Sequence, residues 1–134
     1  SLIEVEILER AAEESMFNLV AVTEKLHAYG FSVAMDDFGS GQSSLSMLDE
    51  VPIDVLKFDQ NFLRNSKNCE EHDKMINILI NLGKQLNKKT LFEGVETQEQ
   101  RDMLKELNCD QVQGYFYSKP LDEADFVDFV KEHL

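Results

Sequence analysis

The sequence is poor in cationic residues, in cysteine and in proline. It has 13 Lys and Arg against 26 Asp and Glu, which gives a formal net charge of -13. A phosphate backbone or an anionic membrane surface needs cationic partners, so this composition argues against binding to a nucleic-acid polymer or to such a membrane. With 2 prolines and 6 glycines, no linker or low-complexity tract divides the chain.

The two cysteines, Cys69 and Cys109, lack the spacing of a metal site or of a redox pair. The sequence shows no signal peptide and no apolar run of membrane length. These absences predict a cytoplasmic protein with free thiols and no membrane segment. The 134 residues, 43% of them hydrophobic, suffice for a core, and we expect a single domain over residues 1–134.

Two adjacent aspartates, Asp36 and Asp37, end an apolar run and open a turn that contains Gly39 and Gly41. Like charges this close repel each other, so either the pair shares one proton or a metal ion neutralises both. We favour the metal ion. The alternative is structural: Asp37 starts a turn or caps a helix near Ser43, and Asp36 is merely solvated.

Hydrophobic periodicity predicts strands that alternate with helices. Period-two patterns and short apolar runs mark five strands, at residues 3–7, 31–35, 55–59, 90–93 and 111–114. Helical spacing marks helices at about 15–27, 43–48 and 75–86, one after the capping-box residues Thr97 and Gln100, and a last one after Asp122. Residues 60–70 are polar and are predicted to form a loop.

This order of elements predicts an α/β fold with a parallel sheet. Two architectures fit it: a doubly wound five-stranded sheet, or five consecutive βα units of an eight-unit barrel. The periodicity does not decide between them. In both, functional sites lie at the carboxyl ends of the strands.

Polar side chains recur near these carboxyl ends. In the third strand, alternation places Lys57 with Val55 and Asp59 on one face and turns Leu56 and Phe58 to the other. Each predicted strand carries or leads into such a residue: Glu6, Asp36, Lys57, Glu93 and Gln113. Charges on a buried face are costly unless they are paired or metal-bound. Oxygen ligands without Cys or His suit Mg²⁺ or Mn²⁺, and acids, a lysine and two such ions suit phosphodiester hydrolysis.

Six motifs lie in order along the chain: residues 6–9, 36–41, 43–45, 56–59, 93–97 with Gln100, and 113–115 with Lys119 and Pro120. In order and spacing they resemble the EAL family of cyclic-di-GMP phosphodiesterases. The resemblance runs from end to end of the chain. It implies a TIM-like (β/α) barrel, of which this chain is the C-terminal portion, and hydrolysis of cyclic di-GMP to the linear dinucleotide.

The resemblance also implies roles for single residues. Glu6 resembles a ligand of a first metal ion, and Asp36 resembles the bridge between two ions, Mg²⁺ or Mn²⁺. Asp37 and Glu93 resemble ligands of the second ion, with Glu93 also a candidate base for the attacking water. Lys57 is similar to the catalytic lysine of the family, which contacts that water.

Further positions of the match belong to a loop and to a pocket. Glu9 resembles an acid that steadies the loop after the aspartates, whose predicted members are Phe38, Gly39, Ser40, Gly41 and Ser43. The predicted substrate pocket contains Asp59, Glu96 and Gln113. Departures from the family pattern occur at Leu8, Gln42, Phe58 and Phe92.

The largest departure is the absence of the Glu-Ala-Leu segment that names the family. We therefore expect a missing N-terminal half of the barrel, or another chain, to complete this one, and a homodimer is left open. Two alternatives remain at this point. One is a catalytically inactive EAL-type domain that acts as a cyclic-di-GMP receptor or protein-interaction module. The other is a doubly wound signalling domain with a phosphoryl-accepting aspartate.

Overall fold

The computed structural model describes residues 3–8, 16–39, 45–64 and 69–133. Its centre is a parallel sheet of five strands: β1 (Glu4–Leu8), β2 (Ser32–Asp36), β3 (Val55–Phe58), β4 (Lys89–Phe92) and β5 (Gln111–Val112). Each strand pairs with the strand before it in the chain. A doubly wound sheet reverses its strand order at a switch point. The observed order is therefore that of a TIM-like barrel, and the doubly wound alternatives are wrong.

Helices separate or follow the strands. The described ones are α1 (Met16–Ala28), α2 (Leu45–Glu50), α3 (Asn61–Arg64), α4 (Cys69–Gln85), α5 (Gln98–Glu106) and α6 (Glu123–His133). The capping box predicted at Thr97 and Gln100 is present at the start of α5. Asp122 caps α6, since its Oδ1 accepts a hydrogen bond from the Asp125 N–H at 2.9 Å. Among the described helices, none combines the length and the apolar composition that a membrane span requires.

The short helix α3 corrects the loop predicted for residues 60–70. Asp59 Oδ1 accepts a hydrogen bond from the Asn61 N–H at 2.9 Å, and Leu63 is buried in the core. A single turn is too short to show helical periodicity, so the pattern did not reveal it. Strand β5 is also shorter than predicted, because Gln113 and Gly114 lie outside it.

The side chains of the sheet divide into two layers, as the alternation predicts. On the outer face lie Leu56 and Phe58, and the ring of Phe58 stacks on Phe92 with 4.7 Å between centroids. Helix residues pack against this outer layer, among them Leu19, Ile76, Ile80 and Leu104. The inner face has a smaller cluster of Ala34, Val55 and Leu91. Lys57 belongs to this inner face.

The inner face is open in the part of the chain that the structure describes. Strands β1 and β5 each pair with one neighbour and not with each other. A cavity of about 790 Å³ lies on this face, with Glu4, Lys89 and Gln111 among its lining residues. Helix α6 forms as predicted, yet none of its described residues is buried. Apolar side chains of α6, among them Phe126 and Val127, are therefore exposed.

Candidate active site

Lys57 is a buried charged side chain, with only 2% of it exposed. Its Nζ donates a hydrogen bond to Glu6 Oε1, on β1, and lies 2.8 Å from Glu93 Oε1, just after β4. The two carboxylates are more accessible, at 49% for Glu6 and 26% for Glu93. The structure thus brings together three predicted site residues: Glu6 from β1, Lys57 from β3 and Glu93 from the segment just after β4.

The protonation of Lys57 follows from two opposing effects. Burial lowers the pKa of an ammonium group, because the charged form loses hydration. The hydrogen bonds and negative charges of Glu6 and Glu93 outweigh this effect, so that the pKa of Lys57 is raised. Lys57 is therefore a cation at neutral pH and acts as a hydrogen-bond donor rather than as a base.

The aspartate pair lies at the same end of the sheet. Asp36 is the last residue of β2, and its Oδ1 accepts a hydrogen bond at 2.9 Å from the N–H of Asp37, whose φ is 56°. The Phe38 N–H donates to the carbonyl of Lys57 at 3.0 Å, and the Phe38 ring packs edge-on against Phe58. A turn does start at Asp37, as the structural alternative holds. Both carboxylates remain partly exposed beside it.

Only part of the predicted loop can be placed. Phe38 is buried, and Gly39 has φ of 87°, a conformation that favours glycine. Four further predicted residues lie outside the described part of the chain: Glu9, Ser40, Gly41 and Ser43. Their roles stay predictions.

The three residues predicted to form a substrate pocket line a single cavity. Asp59, Glu96 and Gln113, together with Glu93, border a cavity of about 440 Å³. This volume falls in the range of about 300–1,000 Å³ that is usual for ligand pockets. The cavity lies at the carboxyl ends of β3, β4 and β5. It is therefore on the side of the sheet where barrel proteins place their sites.

Gly114 allows the segments after β4 and β5, which border this cavity, to pack closely against each other. A Cβ atom on Gly114 would overlap the backbone of Val95. The Val95 N–H donates to the carbonyl of Gln113 at 3.1 Å, and the Phe116 N–H donates to the carbonyl of Val95 at 3.0 Å. These bonds hold the segments after β4 and β5 in close contact, which fixes Gln113 at the cavity.

Five lining residues had no predicted role in the site: Gln60, Arg64, Gly94, Gly114 and Tyr115. Arg64 Nη2 lies 3.2 Å from Glu96 Oε1. Its position depends on helix α3, whose signal in the sequence is the capping aspartate Asp59 before Asn61. Tyr115 belongs to one of the motifs, but its residue type alone gave it no role.

The carboxylates suit a hard divalent cation by their chemistry, but they do not surround one point. Among the described residues, no group of three or more Asp, Glu, His or Cys is close enough to hold a metal ion. Lys57 supplies the positive charge between Glu6 and Glu93. Asp36 and Asp37 offer further oxygen atoms at the same end of the sheet. The predicted metal ligands therefore stay predictions.

A parallel sheet in chain order, with charged groups from several strands at its carboxyl ends, defines a TIM-barrel-like protein with a site at that rim. The sequence profile of the EAL domain matches residues 1–120. This chain belongs to the EAL domain family, and the resemblance in its motifs is confirmed.

Two curated relatives come from Pseudomonas aeruginosa. Cyclic di-GMP phosphodiesterase NbdA is 34% identical over 131 residues, which are 98% of this chain and 17% of NbdA. Cyclic di-GMP phosphodiesterase RocR is 38% identical over 119 residues, which are 89% of this chain and 29% of RocR. The chain thus spans less than a third of the length of either relative.

Solved EAL structures share the fold. The EAL domain of Mycobacterium smegmatis DcpA superposes with a TM-score of 0.88 at 29% identity, over 96% of this chain and 58% of the DcpA chain. The PaMucR phosphodiesterase, solved as a complex with c-di-GMP, gives a TM-score of 0.82 at 31% identity, over 92% of this chain and 50% of that chain. The chain corresponds to about half of each of these solved chains.

Proposed function

We propose that this chain is the C-terminal portion of an EAL-type barrel that hydrolyses cyclic di-GMP to the linear dinucleotide with Mg²⁺ or Mn²⁺. The observation that carries the proposal is the buried Lys57 between Glu6 and Glu93 at the rim of the sheet. The names of the relatives support it, since NbdA and RocR are cyclic di-GMP phosphodiesterases and PaMucR was solved with c-di-GMP.

Lys57 and Glu93 act on the attacking water. Because its pKa is raised, Lys57 stays protonated and donates a hydrogen bond where negative charge develops. The carboxylate of Glu93 accepts a proton from the water as general base. The water oxygen forms a bond to phosphorus, the bond from phosphorus to the ribose O3′ breaks, and a proton passes to O3′.

The proposed metal ligands are Glu6, Asp36, Asp37 and Glu93. When bound, Mg²⁺ or Mn²⁺ supplies positive charge to the phosphate oxygens and lowers the pKa of the water. All four residues offer carboxylate oxygens, which suit both ions. In the cavity beside them, Asp59, Glu96 and Gln113 are proposed to contact the rest of the dinucleotide.

We also propose that the opposite wall of the site comes from outside this chain. A closed barrel takes about eight strands, whereas the described sheet has five. Glu6 stays half-exposed on the open inner face. The missing N-terminal half of the barrel, or another chain, would cover it. A homodimer and a cytoplasmic location remain predictions.

A hydrolysis assay on the complete protein that carries this chain tests the proposal. In Mg²⁺ or Mn²⁺ the wild type is expected to release the linear dinucleotide, and a chelator is expected to stop the reaction. Glu93→Gln should lower kcat by about 10²–10⁴-fold, the contribution of a general base. Glu99→Gln, at an exposed position in the first turn of α5, is the matched control and should leave kcat unchanged.

Two other outcomes would contradict hydrolysis. Binding of cyclic di-GMP without any metal-dependent product would support the inactive receptor instead. Absence of both binding and product would contradict both functions.

A further inference from the structure

The cavity beside Glu93 is negatively charged. Its described lining includes three carboxylates, those of Asp59, Glu93 and Glu96. Lys57 is buried and already bonded to both Glu6 and Glu93. Cyclic di-GMP has two phosphodiesters, each with a negative charge. A ligand that enters this cavity is therefore repelled unless a cation is available to it.

Arg64 is the one cation among the described residues that line this cavity. Helix α3 fixes its backbone, because Asp59 caps the helix and Leu63 is buried beneath it. The Arg64 side chain is 54% exposed and that of Glu96 is 50% exposed, and an ion pair so accessible contributes little to stability. The contact with Glu96 uses only part of the five N–H donors of the guanidinium.

We infer that Arg64 binds the second, non-reacting phosphate of the cyclic dinucleotide, while Glu96 holds the guanidinium at the cavity. The inference rests on the proposed function, because it takes Glu93 and Lys57 as the reacting side. A guanidinium can offer two parallel N–H donors to a phosphate, which an ammonium cannot. Arg64 does not touch the reacting phosphate, so it contributes to KM and not to kcat.

The test compares two ligands in the complete protein. Arg64→Ala should raise Kd and KM for cyclic di-GMP about tenfold with kcat unchanged, the loss expected for one charge-assisted hydrogen bond. Arg64→Lys keeps the charge and should recover part of this loss. Linear GpG has one phosphodiester and no terminal phosphate. We expect the single phosphodiester of GpG to bind beside Glu93, at the reacting position. Arg64→Ala should therefore leave the Kd of GpG unchanged.

Lys131→Ala is the control for net charge. Lys131 lies on α6, is exposed and pairs with Asp128, and it does not line this cavity. The inference would be overturned if Arg64→Ala lost affinity equally for cyclic di-GMP and for linear GpG. It would also be overturned if Lys131→Ala lost as much affinity for cyclic di-GMP as Arg64→Ala, or if Arg64→Ala lowered kcat at constant KM. Wild-type binding of cyclic di-GMP that Arg64→Ala leaves intact overturns this inference alone. A wild type that binds no cyclic di-GMP overturns the proposed function with it.

Discussion

Lys57 contacts two carboxylates of the proposed mechanism: Glu6, a proposed metal ligand, and Glu93, the proposed general base. It lies on the inner face of β3 and holds carboxylates from β1 and from the end of β4. A charge this buried is tolerated only because both partners are present. Its partners, in contrast, reach solvent, so removal of the lysine leaves carboxylates that can hydrate.

Lys57→Met removes the cation with little change in volume. We expect at least about a 100-fold loss of turnover, because the donor to the developing charge is gone. The free energy of unfolding should fall by less than the about 3–5 kcal/mol typical of an orphaned buried charge, since Glu6 and Glu93 are accessible. Turnover and urea unfolding measure the two effects. Lys89→Met, at an exposed lysine of β4, is the control, and turnover that survives Lys57→Met would contradict the assigned role.

The difference in free energy of unfolding between the wild type and Lys57→Met depends on pH, because the pKa of Lys57 is raised in the folded protein. The folded state favours the ammonium more than the unfolded state does. The ion pairs therefore stabilise fully below the ordinary lysine pKa of about 10.4 and are lost as pH rises through the higher pKa of the folded protein. Measured in a chelator, the wild type should lose stability relative to Lys57→Met only above about pH 10.4. A relative loss between neutral pH and that value would contradict the shift.

Residue positions were predictable where strand alternation decides them. The period of two places Lys57 on the face opposite Leu56 and Phe58, and the structure confirms this placement. Arg64 was not predictable in this way, because its place at the cavity depends on a single helical turn and on its distance in space from Glu96. The roles of Glu6, Asp36, Asp37 and Glu93 as ligands of particular metal ions rest on the family resemblance, and strand alternation does not predict them.

Among the elements, the segments after β4 and β5 depend on each other. Their contact is so close at Gly114 that a methyl group would meet the backbone of Val95. The backbone hydrogen bonds between Val95, Gln113 and Phe116 cross this contact. The shape of the cavity therefore depends on the absence of a side chain at one position.

Gly114→Ala is expected to lower the free energy of unfolding by about 1–3 kcal/mol, as overpacking does, and to weaken the binding of cyclic di-GMP. Gly30→Ala is the control: it strains a positive φ of 84° by about 1–2 kcal/mol, but an added Cβ there meets no atom within 4 Å. Chemical unfolding and calorimetric binding distinguish the two variants. Equal affinity in both would contradict the link between Gly114 and the cavity.

The sequence predicts long elements better than short ones. Strong periodicity located α4 and the strands β2 to β4, whose faces are buried by packing. The one-turn helix α3 was missed, and β5 was predicted too long, because elements of two to four residues show no measurable periodicity. Helix α6 formed after Asp122 as predicted, and none of its described residues is buried.

For the whole molecule, the open inner face predicts uneven stability. Strands β2, β3 and β4 have partners on both sides, whereas β1 and β5 are edges and α6 has no buried residue. In the isolated chain, amide hydrogen exchange should be slowest in β2 to β4 and fastest in β1, β5 and α6. The proposed opposite wall would pair with these edges, so the same experiment in its presence should show new protection in β1 and β5. Uniform protection in the isolated chain would contradict an open sheet.

The pairing of each strand with its predecessor also has a kinetic consequence. During synthesis from the amino end, each of the strands β2 to β5 meets a partner that has already left the ribosome, so none of these four pairings waits for a later segment. Assembly can then proceed vectorially, one βα unit at a time, with short loop closures at each step. A sheet wound outward from its middle lacks this advantage, because some of its strands find their neighbours only across intervening units.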